Sequence, residues 1–248
     1  MNPALAGLRP RASRLMRRLA RTLGLGPTGT IDWGDLRRVE PVSRAFGAER
    51  GIPIDRYYIE QHLRLHRADI KGRVLEIGNA HYTSAFGGAR VLKSDVLHVE
   101  PGNPEATIVG DLATGANIPR DAFDCLILTQ TLSHIYDVRG AIGHAHAALR
   151  PGGVVLATFG GVTQISRADA DRWGDFWRFT DAAARRLFGD IFGPGNVGVT
   201  SHGNVLAVCA FLHGLALHEL TQAELDHPDQ DYPLVIAVRA VRAARHET

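Results

Sequence analysis

Arg73-Val74-Leu75-Glu76-Ile77-Gly78-Asn79-Ala80-His81-Tyr82 is the stretch on which the reading of this chain turns. A short apolar run of Val, Leu and Ile reads as a strand buried on both faces. Gly78 reads as the point where the chain leaves the sheet and backbone can come close to a ligand. The same sentence is repeated downstream. Val96-Leu97-His98-Val99 is followed by Glu100, Ala106-Thr107-Ile108-Val109 by Gly110-Asp111-Leu112, and the run 123–128 by Gln130, Ser133 and His134. A helix is expected over 137–149, stopped by Pro151-Gly152-Gly153, with a fifth strand over 154–159. Apolar runs separated by crossovers imply a parallel sheet covered on both faces.

Working outward, residues 55–69 predict a helix capped by Asp55, with Tyr58, Ile59, His62, Leu63 and His66 on one face. Residues 31–54, broken by Pro41, Gly47, Gly51 and Pro53, read as irregular. On the other side, Thr180-Asp181 caps a helix to about residue 188, and 196–201 is a strand. Residues 204–220 read as one apolar helix that covers the sheet or forms a homodimer seam. Thr221-Gln222-Ala223-Glu224 is a capping box, and 233–241 a last strand.

The chain has 248 residues, 45% of them hydrophobic and 22% charged, as expected of a globular protein with a sizeable core. No apolar run approaches the roughly 18 residues of a membrane span. Cys125 and Cys209 lie among apolar neighbours, which excludes a disulfide framework and points to a reducing cytoplasm. Six arginines and no acid fall in residues 1–30, against a whole-chain net charge of +2, so the remainder is mildly acidic. That balance argues against a nucleic-acid partner. Leu15, Leu19 and Leu23 make the basic segment an amphipathic helix suited to peripheral membrane contact, or a solvated extension, ending in a linker at 24–29. The chain thus divides into a basic helix and linker over 1–30 and one domain over 31–248. Arginine replaces lysine everywhere except Lys71 and Lys93, which reads as GC-rich bacterial coding.

Parallel sheets bind ligands beyond the carboxyl ends of their strands, so the residues after each strand are the candidate site. A carboxylate near Glu76 suits a cationic amine, Glu100 suits two ribose hydroxyls, and Asp111 suits an adenine amino group. Acids favour a cofactor that lacks phosphates and carries positive charge. A nicotinamide enzyme would want G-x-G-x-x-G after the first strand, which is absent.

Glu76-Ile77-Gly78, Glu100, Gly110-Asp111-Leu112, Phe123-Asp124-Cys125-Leu126-Ile127-Leu128 and Leu149-Arg150-Pro151-Gly152-Gly153 together resemble the ordered motifs of class I S-adenosylmethionine (SAM)-dependent methyltransferases. The spacing of 24 residues from Glu76 to Glu100 is similar to that family's; Asp95 is a competing acid at shorter spacing. Residues 171–180, rich in Trp and Phe, resemble a segment of type 11-like bacterial enzymes associated with glycan or secondary-metabolite biosynthesis. The resemblance covers roughly residues 55–240. It implies an α/β fold, a Rossmann-like doubly wound sheet of seven mostly parallel strands with an antiparallel last strand. It also implies SAM as cofactor, held by Glu76, Gly78, Asn79, Glu100, Asp111, Leu112 and Gln130. The departure from the family is the loop after Gly78, where Asn79-Ala80-His81-Tyr82 stands in place of further glycines.

For methylation of a hydroxyl on a small molecule or saccharide, His134 is the candidate base and His81 the second choice. Tyr58, His81, Trp173, Trp177 and Arg178 are the candidate acceptor residues, the aromatics serving as a lid, a sugar platform or a core cluster. Arg178 can alternatively pair with an internal carboxylate. His62 and His66 have the spacing of a metal pair, but no accompanying carboxylate motif, and no metal is expected. The rival reading is a methyltransferase fold that has lost catalysis and serves as a binding or scaffold module.

Overall fold

The computed structural model describes residues 34–244. The basic helix and linker expected over 1–30 lie outside the described residues. Contacts divide the chain between Glu40 and Pro41, and the described part of the first unit holds one 3-10 turn, Gly34–Leu36.

From Pro41 onward seven strands form one sheet: β1 (Gly72–Ile77), β2 (Val91–His98), β3 (Ile108–Val109), β4 (Phe123–Thr129), β5 (Leu149–Gly160), β6 (Val197–His202) and β7 (Val235–Val241). Their order is β3-β2-β1-β4-β5-β7-β6. Pairings from β3 through β5 are parallel, and β7 runs antiparallel to both β5 and β6. The Rossmann-like sheet with an antiparallel last strand is therefore present. The order reverses at β1, whose neighbours are β2 and β4. Such a switch point opens a crevice at the carboxyl ends of the strands.

Alternation along the central strands divides the core in two. Leu75, Leu126, Leu128, Val155 and Ala157 face one side, against α2 (Val138–Ala148) and α4 (Asp181–Phe192). Val74, Cys125, Ile127, Val154 and Leu156 face the other, against α1 (Ile54–Leu65) and α5 (Val205–Leu212). Because both faces are covered, β4 has no polar alternation from Cys125 to Leu128, all of them fully buried. Leu126→Ala is expected to cost about 2–5 kcal/mol by removing buried methyl groups and leaving a cavity. Urea unfolding checks this, and a variant as stable as the parent would remove Leu126 from the core.

Several expectations from the sequence are corrected. The N-cap of α1 is Pro53, with no side-chain cap bond, so Asp55 sits inside the first turn and does not cap the helix. Helix α2 ends at Ala148, and Leu149 is already extended and paired with Phe123. Pro151-Gly152-Gly153 thus lies inside β5, at a register shift, and not between helix and strand. The apolar segment 204–220 is not one helix. Asn204 caps α5 through Ala207 N at 2.9 Å, and α5 stops at Leu212. Gly214 then takes φ +72°, where an added Cβ would stand 2.3 Å from the Ser43 carbonyl oxygen. Two further helices, α3 (Arg167–Arg172) and α6 (Gln222–Leu225), complete the fold. No helix among the described residues is long and apolar enough to cross a membrane.

Candidate active site

Two cavities adjoin at the carboxyl edge of the sheet. The larger, about 540 Å³, lies over the ends of β1, β2, β3 and β4. Gly78 forms its floor at φ +82°, a backbone conformation that L side chains rarely adopt. A Cβ there would meet no protein atom within 4 Å, so the space beside this Cα belongs to the cleft. Leu97, Leu112 and Ile135 supply apolar walls, and Asp111 a carboxylate. No Lys or Arg among the described residues lines this cleft. It is built for a flat, partly apolar molecule without phosphates, and this fits SAM, a nucleoside carrying a sulfonium and an amine.

The loop after Gly78 keeps its shape with a single glycine because side chains hold it. Glu76 is buried, and its two carboxylate oxygens accept from Tyr82 N at 3.0 Å and Thr83 N at 2.7 Å. Burial pushes the Glu76 carboxyl up, against these hydrogen bonds, which favour the charged form. Asn79 Oδ1 accepts from His81 N at 3.0 Å. Asn103, which drew no attention in the sequence, donates to the Gly78 carbonyl at 2.6 Å. Glu76 and Asn79 thus shape the loop, and neither lines the cleft.

Asp111 does line it. Its Oδ1 accepts from Ala113 N at 2.8 Å and its Oδ2 from Thr114 Oγ1 at 3.0 Å, which fixes the carboxylate while lone pairs remain for a ligand. Glu100 does not. It is half exposed and paired with Arg172 at 2.7 Å, and His98 and Val99 line the cleft in its place. The competing acid Asp95 is buried beneath the sheet edge, held by Arg73 at 2.6 Å and Thr107 at 3.0 Å. The sequence placed His98 inside the second strand, before Val99, whereas β2 ends at His98.

The second cavity, about 210 Å³, shares Gln130, His134 and Asp169 with the first. Gln130 follows β4 at φ +51°, a costly conformation for a residue with a Cβ, held by its N–H to the Thr158 carbonyl at 2.8 Å. His134 Nδ1 lies 2.7 Å from the Gly174 carbonyl. A carbonyl only accepts, so Nδ1 carries the proton and Nε2 is the nitrogen with a free lone pair.

Residues 161–178 cover both cavities. Trp173 and Phe176 line the larger one, and Trp177 and Arg178 the smaller. The segment is tied down on both sides. Trp177 Nε1 donates to the Ile135 carbonyl at 3.1 Å, Phe176 N to the Ser133 carbonyl at 2.9 Å, and Trp173 meets His98 edge-on. Arg178 pairs with Asp175 at 2.5 Å, so the internal partner considered from the sequence is present.

Two expected acceptor residues stand elsewhere. Tyr58 is 2% exposed, packed in the core with its hydroxyl on the Leu225 carbonyl at 3.0 Å, and burial pushes its phenol up to about 12. His81 is exposed against the Tyr82 ring and lines neither cavity. His62 and His66 meet ring to ring at 4.8 Å, with burial driving His62 down to about 3. Among the described residues no group of three or more His, Cys, Asp or Glu could hold a metal ion.

A family model described as a methyltransferase domain matches residues 49–189. A comparison with curated proteins finds no match. Among solved structures, the chain is similar to a SAM-dependent methyltransferase from Thermotoga maritima, at 12% identity over 79% of this chain and 94% of that one, with a TM-score of 0.50. It is also similar to the N-methyltransferase NodS from Bradyrhizobium japonicum in complex with S-adenosyl-L-homocysteine, at 15% identity over 84% and 94%, TM-score 0.49. A third is a SAM-dependent methyltransferase from Archaeoglobus fulgidus, at 10% identity over 75% and 94%, TM-score 0.49.

Proposed function

Because the chain belongs to the SAM-dependent methyltransferases, we propose that it methylates a hydroxyl of a small or saccharide acceptor held in the smaller cavity. The observation that carries this reading is the junction, where Gln130, His134 and Asp169 line both cavities. A cofactor site and an acceptor site must meet at the reacting atoms, and holding two reactants in line supplies much of the rate. Bound in the larger cleft, SAM supplies an electrophilic methyl group on a sulfonium, and the chain's own task is to present the acceptor. A hydroxyl must shed its proton as it gains the methyl, and the Gly174 carbonyl on Nδ1 supports the reading of His134 Nε2 as the acceptor.

Gly78 backbone, Asp111 and the apolar residues Leu97, Leu112 and Ile135 would hold the cofactor. Asp111→Ala is expected to weaken S-adenosylhomocysteine binding by about tenfold or more, the loss of a charged hydrogen-bond acceptor being worth roughly 1.5–3 kcal/mol. Calorimetric titration measures it, with a melting curve to confirm the fold. Unchanged affinity would remove Asp111 from the site. Failure of the unmodified protein to bind either S-adenosylhomocysteine or SAM would overturn the enzyme reading and leave the scaffold reading.

A further inference from the structure

Four residues close a circuit of contacts at the β2 end of the larger cleft. His98 and Glu100 stand where β2 ends, and Arg172 and Trp173 where α3 ends. The Glu100 carboxylate accepts from Arg172 Nη2 at 2.7 Å. The Arg172 guanidinium lies over the Trp173 ring, 4.3 Å from its centroid. Trp173 meets the His98 ring edge-on, with centroids 5.8 Å apart. His98 Nδ1 lies 2.8 Å from the Glu100 carbonyl and 3.2 Å from Glu100 N, so either tautomer ties the imidazole back to Glu100.

The circuit has an inner and an outer half. His98 and Trp173 line the cleft, and Glu100 and Arg172 do not. The outer pair is half or more exposed, and an exposed ion pair alone contributes little. This one is held on a second side, because the guanidinium also rests on the Trp173 face. A planar guanidinium can serve a carboxylate and an aromatic face at once, as an ammonium cannot. Helix α3 buries no residue, so core packing does little to fix it. Trp173, its C-cap, takes its place from side-chain contacts such as these.

We propose that Arg172 and Glu100 are positioning residues of the cofactor site: together they hold Trp173 as a wall of the cleft, and Glu100 serves the cofactor through Arg172 and Trp173 without touching it. The proposal deepens the SAM reading of the larger cleft and rests on it. It gives a role to an acid that has the spacing of a ribose contact and yet lies outside the cleft. Because both partners are exposed, salt should loosen the brace. S-adenosylhomocysteine carries one ammonium and one carboxylate near neutral pH, so its own net charge of zero gives salt little to act on.

The test is calorimetric titration of the full chain with S-adenosylhomocysteine, with Trp173 followed by fluorine NMR after 5-fluorotryptophan labelling. Loss of one resonance in Trp173→Phe assigns the signal. Arg172→Ala is expected to weaken binding by about three- to tenfold, since an ion pair and a cation–π contact go together. Glu100→Ala leaves the guanidinium on the ring and should weaken binding by about two- to fivefold. The double substitution should be no worse than Arg172→Ala, because the two residues act as one unit. Each single substitution should shift the Trp173 resonance in the ligand-free protein, with the melting temperature unchanged. Raising the ionic strength from about 0.05 to 0.5 M should weaken binding in the parent and not in Arg172→Ala. Exchanging the pair, Glu100→Arg with Arg172→Glu, should recover part of what either reversal alone loses. A larger loss in Glu100→Ala than in Arg172→Ala, adding in the double variant, would mean that Glu100 touches the ligand and would overturn the proposal. Affinity indifferent to both substitutions in a parent that binds would overturn it while leaving the cofactor reading intact. A parent that binds no S-adenosylhomocysteine would sink the cofactor reading itself, so the two failures are distinguishable.

Discussion

Gly78→Val is expected to weaken binding of S-adenosylhomocysteine about 100-fold while leaving the fold intact. Two separate effects act at this residue. The backbone stands at φ +82°, where a β-branched side chain is strained by about 1–3 kcal/mol. That cost falls on stability, and a domain with a buried two-sided core absorbs it. The second effect falls on the ligand. No protein atom lies within 4 Å of the added Cβ, so the isopropyl group meets no protein atom at its root and occupies volume that belongs to the cleft. It also holds the ligand off the backbone. Overlap of this kind costs on the order of 3 kcal/mol, or about 100-fold in affinity. Gly78→Ala should fall between. Calorimetry gives the affinity and thermal melting gives the stability. A valine variant that binds like the parent would show that the ligand does not approach this backbone, and the placement of the cofactor over β1 would have to be abandoned.

The loop that contains Gly78 also marks where sequence reading succeeds and where it stops. The strands were legible because burial on both faces leaves a continuous apolar run, as in Cys125–Leu128, that needs no knowledge of the partner. The capping box was legible because it is local. Thr221 Oγ1 accepts from Glu224 N at 3.3 Å, and Glu224 Oε2 accepts from Thr221 N at 2.8 Å, just as the spacing predicts. Position at the strand ends put Gly78, Asp111, Gln130 and His134 on one rim, and all four line the larger cleft. What was not legible depends on contacts distant in sequence. Glu100 stands at the right spacing, but Arg172, 72 residues away, takes its carboxylate. Tyr58 shares the buried face of α1, and a carbonyl at Leu225 turns its hydroxyl into a core contact. Asp55 looks like a cap in the sequence, but Pro53 takes the cap position and leaves Asp55 in the first turn. The glycine-poor loop looked unfit for its role because nothing local says that Glu76 and Asn103 reach across to hold it.

His134→Ala is expected to lower turnover by about 10²–10⁴-fold, the range for removing a positioned base, with S-adenosylhomocysteine affinity nearly unchanged. The split follows from where the residue stands. His134 lines both cavities, whereas Gly78 lines only the larger one. Its Nδ1 proton is held by the Gly174 carbonyl, and Gly174 belongs to the lid. The variant leaves the Gly174 carbonyl without this donor. The lid keeps its other ties, Trp177 Nε1 to Ile135 and Phe176 N to Ser133, so the alanine tests the imidazole more than the lid. A histidine base also leaves a signature that a purely structural residue would not. His134→Gln, which can still donate to Gly174, should restore lid order without restoring rate. Equal turnover in the alanine variant would assign the proton to another group. Asp169 would then be the residue to examine, since it is the remaining titratable side chain that lines both cavities.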